Sequence, residues 1–217
     1  MVNYVEVGNN SVSQGIYTDF STEVTFKHKA LSLTTAGLLT FENSKENIFA
    51  AYFLNIGGSF QVFKHDVSIS TFYLWKPFSE NLMETNYGVI ANLKTKFIGL
   101  SIGSNLRRYG YTEEAILKNN ILNSINTSID EPLNLMYKLS FYQAFNSKLK
   151  LELRVTNYDT FIIQQITNPM AMSKLTYNLN PKLELYTDLG IMQAGLLNVR
   201  INYFGFYCRG GIIWKIK

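Results

Sequence analysis

Apolar and polar residues alternate one by one along most of this chain. Between Ile16 and Lys27, the residues Ile16, Phe20, Val24 and Phe26 fall on one parity, while Asp19, Ser21, Glu23 and Lys27 fall on the other. Period two marks a strand with one apolar side. The pattern returns in Leu31, Leu33, Leu39 and Phe41, in Val67, Ile69, Tyr73 and Trp75, and in Ile98, Leu100 and Ile102. It returns again in Leu149, Leu151, Leu153 and Val155. These segments run to roughly 10–14 residues, where strands of soluble proteins cluster at about 5–6. A strand that crosses a bilayer needs about 9–11.

The connections between segments are sorted by length. Short turns near 27–29, 64–66, 94–96, 146–148 and 180–182 alternate with longer stretches at 9–14, 42–47, 77–85, 110–131 and 159–168. Outer-membrane barrels have short periplasmic turns and longer extracellular loops, and a sandwich has no reason for such sorting. Near the C-terminus, Leu183, Leu185, Leu189, Ile191, Leu197, Val199 and Ile201 keep one parity, so 182–202 reads as one long strand before a last strand at 206–217. The count is then about twelve, an even number that closes antiparallel with both termini on the short-turn side. The expected fold is all-β: an antiparallel up-and-down transmembrane β-barrel forming one domain over residues 1–217. Within 110–131, the stretch from Thr112 to Ile125 predicts a short helix packed on the barrel mouth.

Alternation alone does not say whether the apolar face meets lipid or a protein core, and a soluble β-sandwich or tubular module of a larger assembly is the alternative. Aromatic residues bear on the choice, because they crowd the strand ends: Phe26, Phe41, Phe63, Trp75, Phe78, Tyr87, Phe145, Tyr158 and Trp214. That placement suits the interfacial girdles of a membrane barrel. Charged residues make up only 17% of the chain, below the roughly 25% of soluble domains. The longest apolar run, from Ile48 to Leu54, has seven residues, far short of the about 18 that a spanning helix needs.

The strand–turn–strand units, the girdle aromatics and the final strand Ile212-Ile213-Trp214-Lys215-Ile216 resemble Gram-negative outer-membrane barrels of the porin-like class, over nearly the whole chain. The resemblance implies residence in the outer membrane, contact with a lipid bilayer and a narrow passive pore; a non-conducting structural or surface-interaction barrel is the alternative. That class usually ends in an aromatic, whereas this chain ends in Lys217. The N-terminal Met1 to Val7 shows no basic region followed by an apolar core, so no export signal is read there.

If the apolar face meets lipid, the polar face lines the lumen. By register the lining comprises Lys94, Lys96, Arg107, Lys138, Lys150, Arg154, Lys174, Arg200 and Arg209, against Asp19, Glu23, Glu152, Glu184 and Asp188. The basic excess in a low-dielectric wall predicts a mild preference for small anionic solutes. Charges of both signs also pair across strands to fill an interior, and Lys150-Glu152-Arg154 reads as such a ladder. Catalysis is not expected: His28 and His65 fall in short turns, and no nucleophile is placed beside a base. The lone Cys208 excludes an internal disulfide framework, no metal-ligand pair or cofactor motif is read, and the net charge of +4 is too modest to argue for a nucleic-acid partner.

Overall fold

A computed structural model describes residues 1–10, 15–42, 49–63, 65–77, 81–112, 116, 128–193 and 204–216. Twelve strands follow one another: β1 (Val2–Asn10), β2 (Gly15–His28), β3 (Leu31–Glu42), β4 (Phe49–Val62), β5 (His65–Pro77) and β6 (Leu82–Lys94), then β7 (Ile98–Tyr111), β8 (Ser128–Ala144), β9 (Leu149–Thr156), β10 (Met170–Asn180), β11 (Leu183–Gln193) and β12 (Phe204–Trp214). Each pairs antiparallel with its neighbours, and β1 closes on β12 to make a complete barrel. The seam runs from Val2↔Ile213 to Asn10↔Gly205. At its short-turn end the Met1 ammonium donates to the Trp214 carbonyl at 2.8 Å, and the Trp214 amide donates to the Met1 carbonyl at 2.7 Å. Closure leaves no strand edge to be satisfied in hydrocarbon.

The strand count and the alternation of short and long connections match the expectation. The long strand expected over 182–202 is described as β11 to Gln193, and its remainder lies outside the described residues. The helix expected in 112–125 also lies outside them, apart from Thr112 and Ile116, whose amide donates to the Thr112 carbonyl at 3.0 Å.

The outer face is apolar all the way round, with Val5, Phe20, Leu54, Ile69, Ile102, Leu153, Leu189 and Ile212 exposed on successive parts of the wall. A closed barrel with such an exterior presents a lipid-facing band. The inner face is not uniformly polar, however. Strands β3 to β6 and β8 turn Ala36, Leu38, Ala51, Phe53, Phe72, Leu74, Ile90 and Met136 inward, where they form one buried cluster with Tyr158, Phe161 and Ile163. The interior therefore has an apolar wall on β3 to β6 and β8, while buried charges lie on β1, β2, β11 and β12 and, beside the apolar residues, on β6 and β7.

Large inward rings fit because small residues face them. Phe72 is the cross-strand partner of Gly88, and a Cβ there would meet the Phe72 ring at 2.3 Å. Gly190 faces Tyr207 in the same way, with 2.2 Å to the ring. An aromatic ring lying across a neighbouring glycine is a known device for pinning register in curved sheets. In the pairs Gly57-Gly58 and Gly210-Gly211, Gly57 and Gly211 meet close neighbours, while Gly58 and Gly210 face open space.

Gly88→Val is expected to displace Phe72 and destabilise the barrel by about 1–3 kcal/mol. The measurement is the temperature at which the compact, fast-migrating form of the detergent-refolded protein converts to the fully denatured one on a gel. Adding Phe72→Ala should recover part of the loss; a transition unmoved by Gly88→Val would show that the contact does not hold Phe72.

Candidate functional site

The connection from β9 to β10 does not extend away from the barrel but folds back into it. Residues 157–164 make a tight hairpin: Tyr158 and Ile163 pair antiparallel, and the Gln164 amide donates to the Asn157 carbonyl at 2.7 Å. Its tip is closed by the Asp159 amide on the Ile162 carbonyl, also at 2.7 Å. The residues Tyr158, Phe161 and Ile163 are all buried. Phe161 meets Phe53 edge-on at 6.4 Å, and Phe53 stacks on Phe72 at 6.0 Å. Ile162 points the other way, onto the cluster of Met170, Met172, Met192 and Tyr207. An apolar hairpin thus fills the lumen between the two clusters.

Polar contacts fasten this strap on every side. The Asn157 side chain accepts from the Tyr137 amide and donates to the Leu135 carbonyl, both at 2.8 Å. Arg107 donates to the Ile163 carbonyl at 2.5 Å, Lys76 to the Phe161 carbonyl at 3.3 Å and Asn134 to the Gln164 carbonyl at 2.9 Å. Across the lumen, the Asp159 carboxylate lies 3.0 Å from a guanidinium nitrogen of Arg209. Asp159 belongs to the connection rather than to a spanning strand. Burial pushes its carboxyl up, but Arg209, Arg154 and Lys138 outweigh burial and hold it well below the usual carboxylate range. The latch therefore stays ionised through mild acid.

Two ionic networks stand behind the strap. In the first, Arg209 is 2.8 Å from Glu6 and 3.9 Å from Asp188, with its guanidinium 4.3 Å from the centre of the Tyr4 ring. Arg154 pairs with Asp188 and lies 4.0 Å from Glu152. In the second, Glu84 is 3.2 Å from Arg107 and 3.7 Å from Lys76, and Arg107 reaches Glu131 at 3.3 Å. Asn86 donates to Glu84, and Asn105 donates to Asn86, each at 2.8 Å. Buried charges persist only when paired in this manner, and removing one partner costs about 3–5 kcal/mol.

On the short-turn side of the strap the lumen opens. A cavity of ≈ 230 Å³ lies directly against it, lined by Phe53, Phe72, Ile90 and Met136 on one side and by Glu23, Asn55, Ser70, Asn92 and Lys138 among the polar groups. A larger space of ≈ 680 Å³ forms the short-turn mouth, with Lys27, Lys29, Lys94, Asp66 and Glu152 in its wall. Asn92 and Lys138 line both spaces, which therefore adjoin across these two side chains.

The residues expected in the lumen are placed as follows. Asp19, Arg107, Asp188 and Arg209 are inward and buried. Glu23 and Lys138 line the inner cavity, and Lys94 and Glu152 the mouth. Lys174 is inward with its ammonium 4.1 Å from the centre of the Tyr186 ring, and Glu184 pairs with Lys215. Lys150 shares the inward parity of Glu152 and Arg154 but is exposed at the short-turn end of β9. In the expected ladder, Arg154 is drawn mainly to Asp188 rather than to Glu152. Arg200 lies outside the described residues.

Two placements need correction. Lys96 is not in the lumen: β6 ends at Lys94, so the alternation does not extend to it, and it stands exposed in the turn with its ammonium 5.0 Å from the Phe97 ring centre. Tyr158 is not a girdle residue, because the strap carries it inside, where the Lys138 ammonium sits 4.8 Å from its ring centre. The other girdle candidates face outward or stand at turns. Phe26, Phe63, Phe145 and Trp214 are exposed towards the short-turn end. Towards the other end Phe41 meets Phe20, Trp75 meets Tyr52 and Tyr87 meets Tyr73. Phe78 lies outside the described residues. His28 and His65 are exposed at strand ends on the short-turn side.

The inward acids Glu6, Glu84 and Asp159 and the base Lys76 were absent from the expected lining. Glu84 was within reach of sequence reasoning, since it keeps the polar parity of Asn86 against Tyr87 and Val89. With these acids included, the basic excess disappears at the level of the strap.

No protein-family model matches the chain, and no curated protein matches it. Solved structures do match. The NanC porin superposes with a TM-score of 0.59 at 14% identity, covering 99% of this chain and 100% of that one. A KdgM porin in complex with disordered oligogalacturonate gives 0.56 at 9% identity, over 100% of both chains. The translocator domain of the autotransporter NalP from Neisseria meningitidis gives 0.55 at 9%, covering 99% of this chain and 88% of that domain. At such identities the likeness concerns the fold: this chain has the architecture of a porin-like outer-membrane β-barrel.

Proposed function

We propose that this protein is a narrow passive channel of the bacterial outer membrane, without enzymatic activity, whose lumen is closed by the 157–164 strap and opens when the strap withdraws. The observation that carries the reading is the pair of adjoining spaces on the short-turn side, the inner of which has the strap residues Tyr158, Asp159 and Ile163 in its wall. A barrel serving only as a scaffold has no need of a wide polar space beneath a folded-in segment. We assign the mild anion preference to the short-turn mouth. There Lys27, Lys29 and Lys94 outnumber Asp66 and Glu152, and a low-dielectric wall focuses their field. At the strap itself acids and bases balance, so that level selects by size and polarity rather than by sign.

A second reading has its own support. Leu74, Met136, Met170 and Tyr207 are completely or almost completely buried inside the barrel, as in a permanently filled, structural barrel. Planar-bilayer recordings separate the two. Wild-type protein should give small, infrequent conductance steps, and Asp159→Asn, alone or with Phe161→Ala, should raise their size or frequency several-fold. Absence of current from wild type and both variants, in samples that still show heat-modifiable migration, would establish the non-conducting reading.

Replacing Lys27 and Lys94 together by Gln should move the reversal potential in a salt gradient towards cations, and the shift should shrink as ionic strength rises. A reversal potential unchanged by both substitutions would remove the mouth as the source of selectivity.

A further inference from the structure

Of the charged groups that line the ≈ 230 Å³ cavity, Asp159 is occupied by Arg209. Glu23 and Lys138 are not so engaged. Among the described residues neither takes part in an ion pair: Glu23 receives only a 3.5 Å hydrogen bond from Thr25, and Lys138 rests its ammonium 4.8 Å from the Tyr158 ring centre. This sets them apart from the tied charges of the two networks around Arg209 and Arg107. Charges of opposite sign that line one cavity without a direct ion-pair partner are a cost unless something else satisfies them.

The rest of the cavity is two-sided. Phe53 and Phe72, stacked at 6.0 Å, make with Ile90 and Met136 a continuous apolar platform. The Tyr158 hydroxyl is buried at the strap with no hydrogen-bond partner among the described residues. The volume lies below the roughly 300–1,000 Å³ of sites that enclose drug-sized ligands, so the occupant is one small molecule.

We infer that the cavity is a binding site for a small amphipathic zwitterion, an amino acid or short peptide with an apolar side chain. Its ammonium is held by Glu23, its carboxylate by Lys138 and its apolar flank by the Phe53–Phe72 platform. A simple anion leaves Glu23 unpaired and adds repulsion, and a simple cation does the same at Lys138. A neutral polyol can hydrogen-bond to both groups but neutralises neither charge. The inference rests on the reading of the lumen as a solute path and names what that path holds below the strap.

The test is calorimetric titration of the detergent-refolded full chain, which needs no conduction. L-phenylalanine is compared with phenylpropionate, which lacks the ammonium, with phenethylamine, which lacks the carboxylate, and with glycine and glucose. L-phenylalanine should bind saturably and at least about tenfold more tightly than phenylpropionate or phenethylamine, as expected for one charge-assisted hydrogen bond gained or lost, and more tightly than glycine, which lacks the apolar flank, and glucose, which lacks both charges. Glu23→Gln should abolish the advantage over phenylpropionate, and Lys138→Met the advantage over phenethylamine. Equal binding of either single-charge analogue, tighter binding of glucose or the absence of saturable binding would each overturn the assignment. Should a variant fail to refold, the wild-type series decides alone. Conduction without amino-acid binding would sink this inference and leave the channel standing, whereas binding without conduction would do the reverse.

Discussion

Every backbone amide and carbonyl within the hydrocarbon has to be paired inside the protein, and the rest of this molecule follows from that constraint. A sheet meets it only by closing, which here depends on the β1–β12 seam and the ends that meet there at Met1 and Trp214. Closure with antiparallel neighbours throughout demands an even number of strands, and crossing the bilayer sets their length. Once the ring is closed, parity divides all side chains between lipid and lumen. The lumen of twelve strands is narrow enough for a single inserted hairpin to fill, as residues 157–164 do.

The strap is held by two unlike kinds of contact. Withdrawing Asp159 does not orphan Arg209, which keeps Glu6 at 2.8 Å and Asp188 at 3.9 Å. The penalty of an unpaired buried cation is therefore largely avoided when the strap leaves. Withdrawing Phe161 and Ile163 bares Phe53, Phe72 and Leu74 to water, at about 25 cal/mol for each Å² of apolar surface uncovered. The strap thus depends more on the apolar wall, and on the hydrogen bonds from Arg107, Lys76 and Asn134 to its carbonyls, than on Asp159 alone. The latch contributes direction, fixing which way the hairpin tip faces.

Alternation made the lipid face and the strand count legible, because a period of two over long segments has few other causes. The apolar inner wall was harder to read, since a two-faced strand is expected to be polar within. Its trace was nevertheless present. Phe72-Tyr73-Leu74-Trp75 and the Ile48–Leu54 run are apolar on both parities, as strands covered on both sides are. Phe161-Ile162-Ile163 is an apolar triplet inside a connection, where solvent would leave it unsatisfied. Those three signals belong together: Phe161 and Ile163 cover the double-sided strands, while Ile162 packs on the methionine cluster opposite. Lys96 departs from the expected lining because parity has no meaning past the end of a strand, whereas Tyr158 departs from the girdle because an aromatic just beyond a strand end can also turn inward with the connection that carries it.

The order of the parts along the axis has a consequence for control. The inner cavity adjoins the short-turn mouth, so in the proposed channel a solute from that side meets Glu23 and Lys138 with the strap still closed. Binding and passage are then separate events. Because Tyr158, Asp159 and Ile163 belong both to the strap and to the cavity wall, a solute bound there touches the element that the proposed opening moves. It shifts the strap only by the difference between its affinities for the closed and open arrangements. A solute that uses the Tyr158 hydroxyl and the Ile163 side chain favours the closed state and blocks its own path. One held by Glu23, Lys138 and the platform alone is indifferent to the strap and passes whenever it opens.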